Sequence, residues 1–120
     1  MINKEPIYAI MVCTKIEEHI YTMKDENGNE KEKPSGFPDF GATRVVGFYH
    51  EKENAIDAVK ENAGDIWETC YDYAIVETVE PGLYQSNHDR WIFKHNPSTG
   101  GYDEIPEPEI LNHTVGLTIG

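Results

Sequence analysis

Apolar positions recur along this chain with two different periods, and the change of period marks the elements. Ile7 to Ile16 is rich in β-forming residues and almost continuously apolar, which predicts a strand buried on both faces near the middle of a sheet. Thr43 to Tyr49 reads as a second strand. From Glu51 to Ala63 the period lengthens: Ala55, Ile56, Val59 and Ala63 share one helical face while Glu53, Asp57, Lys60 and Glu61 face water, with Gly64 as the expected stop. Tyr71 to Val79 returns to strand character. It sets Tyr73, Ile75, Glu77 and Val79 on one side and Ala74, Val76 and Thr78 on the other, and Pro81-Gly82 ends it.

Arg90 to His95 and Tyr102 to Ile105 flank Asn96-Pro-Ser-Thr-Gly-Gly101, a turn-rich connection that predicts an antiparallel hairpin. Glu107 to Leu111 is long enough for one helical turn. Thr114 to Ile119 is apolar and is expected to dock as an edge strand or in a subunit interface. The stretch 17–42 reads as a long hairpin or loop insertion. Asp25 to Glu30 carries the Asn-Gly signal of a tight hairpin tip, and Lys33 to Gly41 is a Pro/Gly/aromatic segment. The expectation is a single α+β domain over residues 1–120, with a mostly antiparallel sheet of five to six strands covered by one principal helix.

Charge narrows the list of partners. Twenty-two acids against ten bases leave a formal net charge of −12, which repels nucleic acid and anionic membranes at long range. That acidity serves either solubility or mimicry of nucleic acid towards a basic protein. No apolar run has the length of a membrane span and the first residues lack the pattern of a secretory signal, so a cytoplasmic protein is expected. Cys13 and Cys70 then read as reduced, half-buried thiols.

Little in the chain demands a reaction. The histidines at 19, 50, 88, 95 and 113 fit no recognised ligand spacing, and neither Gly-x-Gly-x-x-Gly nor a Walker sequence occurs. Ser35, Ser86 and Ser98 lack a nucleophile-elbow context. Glu17-Glu18 and the Glu77, Glu80 pair are what an acidic chain shows by chance, with no reason to be desolvated. No catalytic residue, metal ligand or cofactor is assigned.

The two arginines carry more. Arg44 and Arg90 each open a strand, and Arg90 precedes Trp91, Phe93, Lys94 and His95. Guanidinium, ammonium and aromatic faces together stack a base and clamp a phosphate, the chemistry of a small nucleotide pocket; the alternative is that arginines pair with carboxylates and aromatics alternate into the core. Phe37-Pro-Asp-Phe40 is either a lid or partner-binding knob, or a cover over one end of the sheet.

Arg44 to Tyr49, the helix with Ala55 and Val59, Tyr73 to Glu77, Gly82-Leu-Tyr84, Arg90-Trp91 with Phe93-Lys94, and the Gly116 to Gly120 ending resemble a small uncharacterised family of firmicute bacteria and their phages and prophages. The resemblance spans most of the chain after Ala42 and implies a phage accessory protein of counter-defence type, acting in the host cytosol. Two functions suit the residues. A sponge for a small anionic nucleotide immune signal would use Arg44, Arg90, Trp91, Lys94, His95, Phe37, Phe40 and Tyr84 in a pocket of a homo-oligomer. An acidic inhibitor resembling nucleic acid would occupy a host defence nuclease. A plain protein-protein interaction module is the third class. The expectation put first is the non-enzymatic sponge.

Overall fold

The computed structural model describes residues 5–63, 66, 71–81, 89–112 and 117. The chain is α+β, and all strand pairs among the described residues are antiparallel. Seven strands run in chain order: β1 (Ile7–Cys13), β2 (Glu17–Lys24), β3 (Glu30–Asp39), β4 (Thr43–Tyr49), β5 (Tyr73–Val79), β6 (Arg90–His95) and β7 (Tyr102–Ile105). One helix, α1 (Lys52–Lys60), lies between β4 and β5, and a 3₁₀ turn (Glu109–Leu111) follows β7. Five strands form the main sheet in the order β4-β1-β5-β6-β7, so the connection through α1 crosses over β1. β1, expected near the middle of a sheet, is an interior strand between β4 and β5, buried from Ala9 to Cys13.

Strand alternation splits the core into two layers. On one face Ile10, Val12, Ala74, Val76, Phe93 and Tyr102 pack with Ala55 and Val59 of α1. On the other, Met11, Ile75 and Ile92 pack with Leu111 of the 3₁₀ turn, and half-buried Ile16, Phe40, Ile105, Ile110 and Leu117 complete the layer. The helix therefore covers one face only. Each large apolar side chain buried in these layers contributes roughly 1.5–3 kcal/mol.

The helix ends at Lys60 and its left-handed stop is Asn62, two residues before the expected Gly64, which lies outside the described residues. Asn62 adopts φ 52°, its N–H bonds the Val59 carbonyl and the Ala63 N–H bonds the Ala58 carbonyl. This is the paired-bond helix stop with asparagine in the left-handed position. Ala63, expected on the buried face, is exposed. The Asn96–Gly101 connection forms the expected hairpin, closed by the Asn96 N–H on the Gly101 carbonyl at 2.8 Å.

The insertion at 17–42 is ordered β-structure rather than loop. Among the described residues β2 and β3 pair with each other and with no other strand. Their tip is at Asp25–Asn29, where the Asp25 carboxylate accepts the Asn27 and Asn29 N–H groups at 2.9 Å each and Gly28 takes φ 81°. Pro34 and Pro38 are tolerated because a two-stranded ribbon leaves one backbone edge of each strand without a partner. The ribbon prolongs the β1–β4 ladder through a bend: Thr14 and Lys15 donate to the Ala42 and Phe40 carbonyls at 3.1 and 3.2 Å. The chain is long for its size, 60 × 43 × 22 Å with a radius of gyration of 16.7 Å, against about 14 Å for a compact domain of this length. No helix among the described residues is long and apolar enough to cross a membrane. Cys70 and the apolar ending, apart from Leu117, lie outside the described residues.

Candidate functional site

A strand turns successive side chains to opposite faces, and that alternation separates the residues expected to grip a nucleotide. Arg90 pairs in register with Glu77, and Trp91 with Val76. Arg90 and Lys94 therefore belong to the face of the 3₁₀ turn, whereas Trp91 and His95 belong to the helix face. Arg90 is also engaged. Its side chain is 2% exposed and its Nε donates to Glu107 Oε1 at 3.0 Å. Half-buried Trp91 is topped by the Lys52 ammonium at 5.1 Å from the ring centroid and neighbours Tyr8 at 6.5 Å. Lys94 lies over the Tyr73 ring at 5.9 Å, and His95 meets Tyr102 edge-on at 5.2 Å.

Arg44 is exposed on β4 and shares its register row with Val12, Ala74 and Phe93, at the opposite end of the sheet from the row of Arg90, Glu77, Ala9 and Phe48. The two aromatics of the Phe37–Phe40 segment part company: Phe40 joins the core while Phe37 is 70% exposed. Tyr84 lies outside the described residues. The described members of the expected pocket are thus spread over both faces, opposite ends of the sheet and the ribbon.

Glu77, read from the sequence as having no reason to be desolvated, is instead a buried carboxylate, 1% exposed, which accepts the Leu117 N–H at 3.0 Å. Its desolvation comes from the second core layer, which local spacing does not reveal. Among the described residues no three His, Cys, Asp or Glu side chains are grouped as a metal ion would require.

The exposed large hydrophobics define a different surface. Among the described residues they are Ile20, Tyr21, Met23, Phe37, Val45, Val46, Phe48 and Tyr49, which lie on β2, β3 or β4. β4 is an edge strand of the main sheet, and its register shifts at Val46, between the Ile10–Gly47 and Met11–Val45 pairs. Beside it a groove of about 160 Å³ runs between β4 and α1, lined by Ile10, Val46, Gly47, Tyr49, Ala58 and Ile66 among others. A Cβ on Gly47 would meet nothing within 4 Å. Its backbone is not left-handed, so neither its conformation nor packing among the described residues requires glycine there. A strand glycine of that kind marks close approach by another group.

The ribbon is held to the body at its bend. Thr14 Oγ accepts the Ala42 N–H at 3.0 Å and donates to the Phe40 carbonyl at 3.4 Å. Lys15 pairs with Asp39 at 3.1 Å. The Gly41 N–H, followed by Lys15, holds the Asp39 carboxyl below its ordinary range, and Asp39 in turn raises Lys15. Gly41 has φ 65°, and a Cβ there would overlap the Thr14 hydroxyl. These bonds fix the base of the ribbon while all eight residues of β2 stay exposed.

Compared with protein-family models, curated proteins and solved structures, the chain matches none.

Proposed function

We propose that this chain is a non-catalytic protein-binding module whose working surface is the projecting β2–β3 arm together with β4 and the groove beside it. The observation that carries the reading is that, among the described residues, the exposed large hydrophobics are confined to those three strands. An isolated two-stranded ribbon is at best marginally stable in water, and large apolar side chains exposed together on neighbouring strands mark a contact site. The segment 15–44 holds five of the ten bases and seven of the 22 acids, so this surface is nearly neutral on an otherwise strongly acidic body. A protein surface suits it better than a phosphate backbone, which the net charge repels. Sequestration of a small nucleotide has less support, since Arg90 is committed to Glu107 and the aromatic and cationic groups face different ways.

The test is cross-linking from the arm. A photoreactive benzoylphenylalanine at position 37 of the full chain is irradiated in a lysate of its source cells, and adducts are identified by mass. Discrete adducts that excess wild-type chain suppresses, and that an Ile20→Ser/Tyr21→Ser/Met23→Ser variant fails to suppress, support the reading. Equal suppression by that variant, or no discrete adduct, overturns it.

A further inference from the structure

We infer that one protein bound by this surface is a second copy of the chain, and that each copy inserts Phe37 of its arm into the other's β4–α1 groove. This rests on the reading of arm and groove as a contact surface and names an occupant for it. Size is the first argument. A benzene ring is accommodated by a cavity of about 150 Å³; the groove, open to solvent and lined by both polar and apolar surface, offers about 160 Å³, and among the described residues nothing fills the position over Gly47. Phe37 is the most exposed large apolar side chain among the described residues.

Chain direction supplies the second argument. β4 begins at the base of the arm, at Thr43, and ends beside the groove, at Tyr49. When two such edges approach antiparallel about a twofold axis, each arm base comes alongside the other copy's groove end. Phe37, two residues before Asp39 at the end of β3, belongs to that base. Contact of arm to groove and groove to arm closes on itself, which gives a dimer instead of a filament.

Charge is the third. Two bodies of net charge −12 repel, so copies that associate do so through the part of each chain with the least net charge. Segment 15–44 accounts for only −2 of that total, and β4 itself contains no acid. Association by this route strengthens with salt, because screening weakens the repulsion between bodies and leaves the apolar contact intact.

Sedimentation velocity on the full chain, from micromolar to hundreds of micromolar at low and high salt, gives the test. A dimer favoured by salt is expected. Phe37→Ser removes the knob, and Gly47→Phe fills the groove from within its own copy. Each is expected to weaken dimerisation at least about tenfold while the far-ultraviolet circular dichroism is unchanged. A mixture of the two restores one of the two contacts and must associate more tightly than either variant alone. A wild-type chain that stays monomeric, a mixture no tighter than its components, or variants that dimerise like wild type each overturn the inference. Arm-dependent cross-linking to a foreign protein by a monomeric chain would leave the binding-module reading standing, so the two failures are distinguishable.

Discussion

Glu77 and Arg90 stand opposite each other in the ladder between β5 and β6, an acid in register with a base, and both side chains are withdrawn from water. Glu77 also fastens Leu117 through its backbone N–H, while Arg90 reaches out to Glu107. A carboxylate and a guanidinium buried in the second core layer thereby join the centre of the sheet to the segment after β7.

Removing one member of a buried charge set leaves the others desolvated, a loss of about 3–5 kcal/mol. Glu77→Leu and Arg90→Met are each expected to destabilise on that scale in urea titrations. The Glu77→Leu/Arg90→Met double variant is expected to be more stable than either single variant. Glu107→Gln, at a half-exposed position, should cost under about 1 kcal/mol. Strict additivity of the first two losses would refute the coupling.

Two strand-associated glycines separate steric need from vacancy. A Cβ on Gly101 would collide with the Lys60 carbonyl at the end of α1, whereas one on Gly47 meets open space, and neither backbone is left-handed. Gly101→Ala is expected to lower stability by about 1–3 kcal/mol. Gly47→Ala should change it by less than about 0.5 kcal/mol. Thermal unfolding of the two variants reads the difference directly.

Cys13 is a free thiol in the core, and burial, with the Asp72 charge adding to it, pushes its pKa from 9.0 up to about 12. In a Cys70→Ser background the native thiol should resist a disulfide reagent at mildly alkaline pH and react only after unfolding. The unfolded thiol ionises near 9 and the folded one does not, so its contribution to stability is complete below pH 9. It declines as pH rises from about 9 towards about 12. A Cys13→Ala variant whose stability falls as steeply over that window would refute the assignment.

At the base of the arm, Asp39 is held in its charged form first by the Gly41 N–H and then by Lys15. The stabilisation is present above the ordinary carboxylate value of 3.8 and disappears as pH falls through the lowered folded value. An NMR titration following the Gly41 amide is expected to show a midpoint below 3.8. Lys15→Met should move it upward without restoring the ordinary value, since the backbone donor remains. Full restoration would make the lysine the principal cause.

Phe37 and Phe40 show how far the candidate surface could be read from the chain. Two aromatics around a proline suggested either a lid or partner-binding knob or a cover over the sheet, and the fold separates them: Phe40 packs in the second core layer and Phe37 is exposed. Ile20, Tyr21 and Met23 are scattered among charges in a segment that reads as insertion. Their common exposure follows from a ribbon that pairs only with itself. Gly47 gave no sign of a groove, because the vacancy above it is bounded by Ala58 and Ile66, residues distant in sequence.

Local order was legible wherever a period was strong. The continuous apolar run of β1, the 3.6-residue spacing of Ala55 and Val59, the alternation of β5 and the turn chemistry of Asn96–Gly101 each follow from neighbouring residues, and an α+β chain with antiparallel strands follows from them. Tertiary structure alone decided that β1 separates β4 from β5, that Arg90 and Trp91 serve opposite layers, that Glu77 is buried, and that β2 and β3 pair as a ribbon separate from the main sheet. Those outcomes depend on which strand lies beside which, and pairing between distant segments leaves no periodic trace in either one.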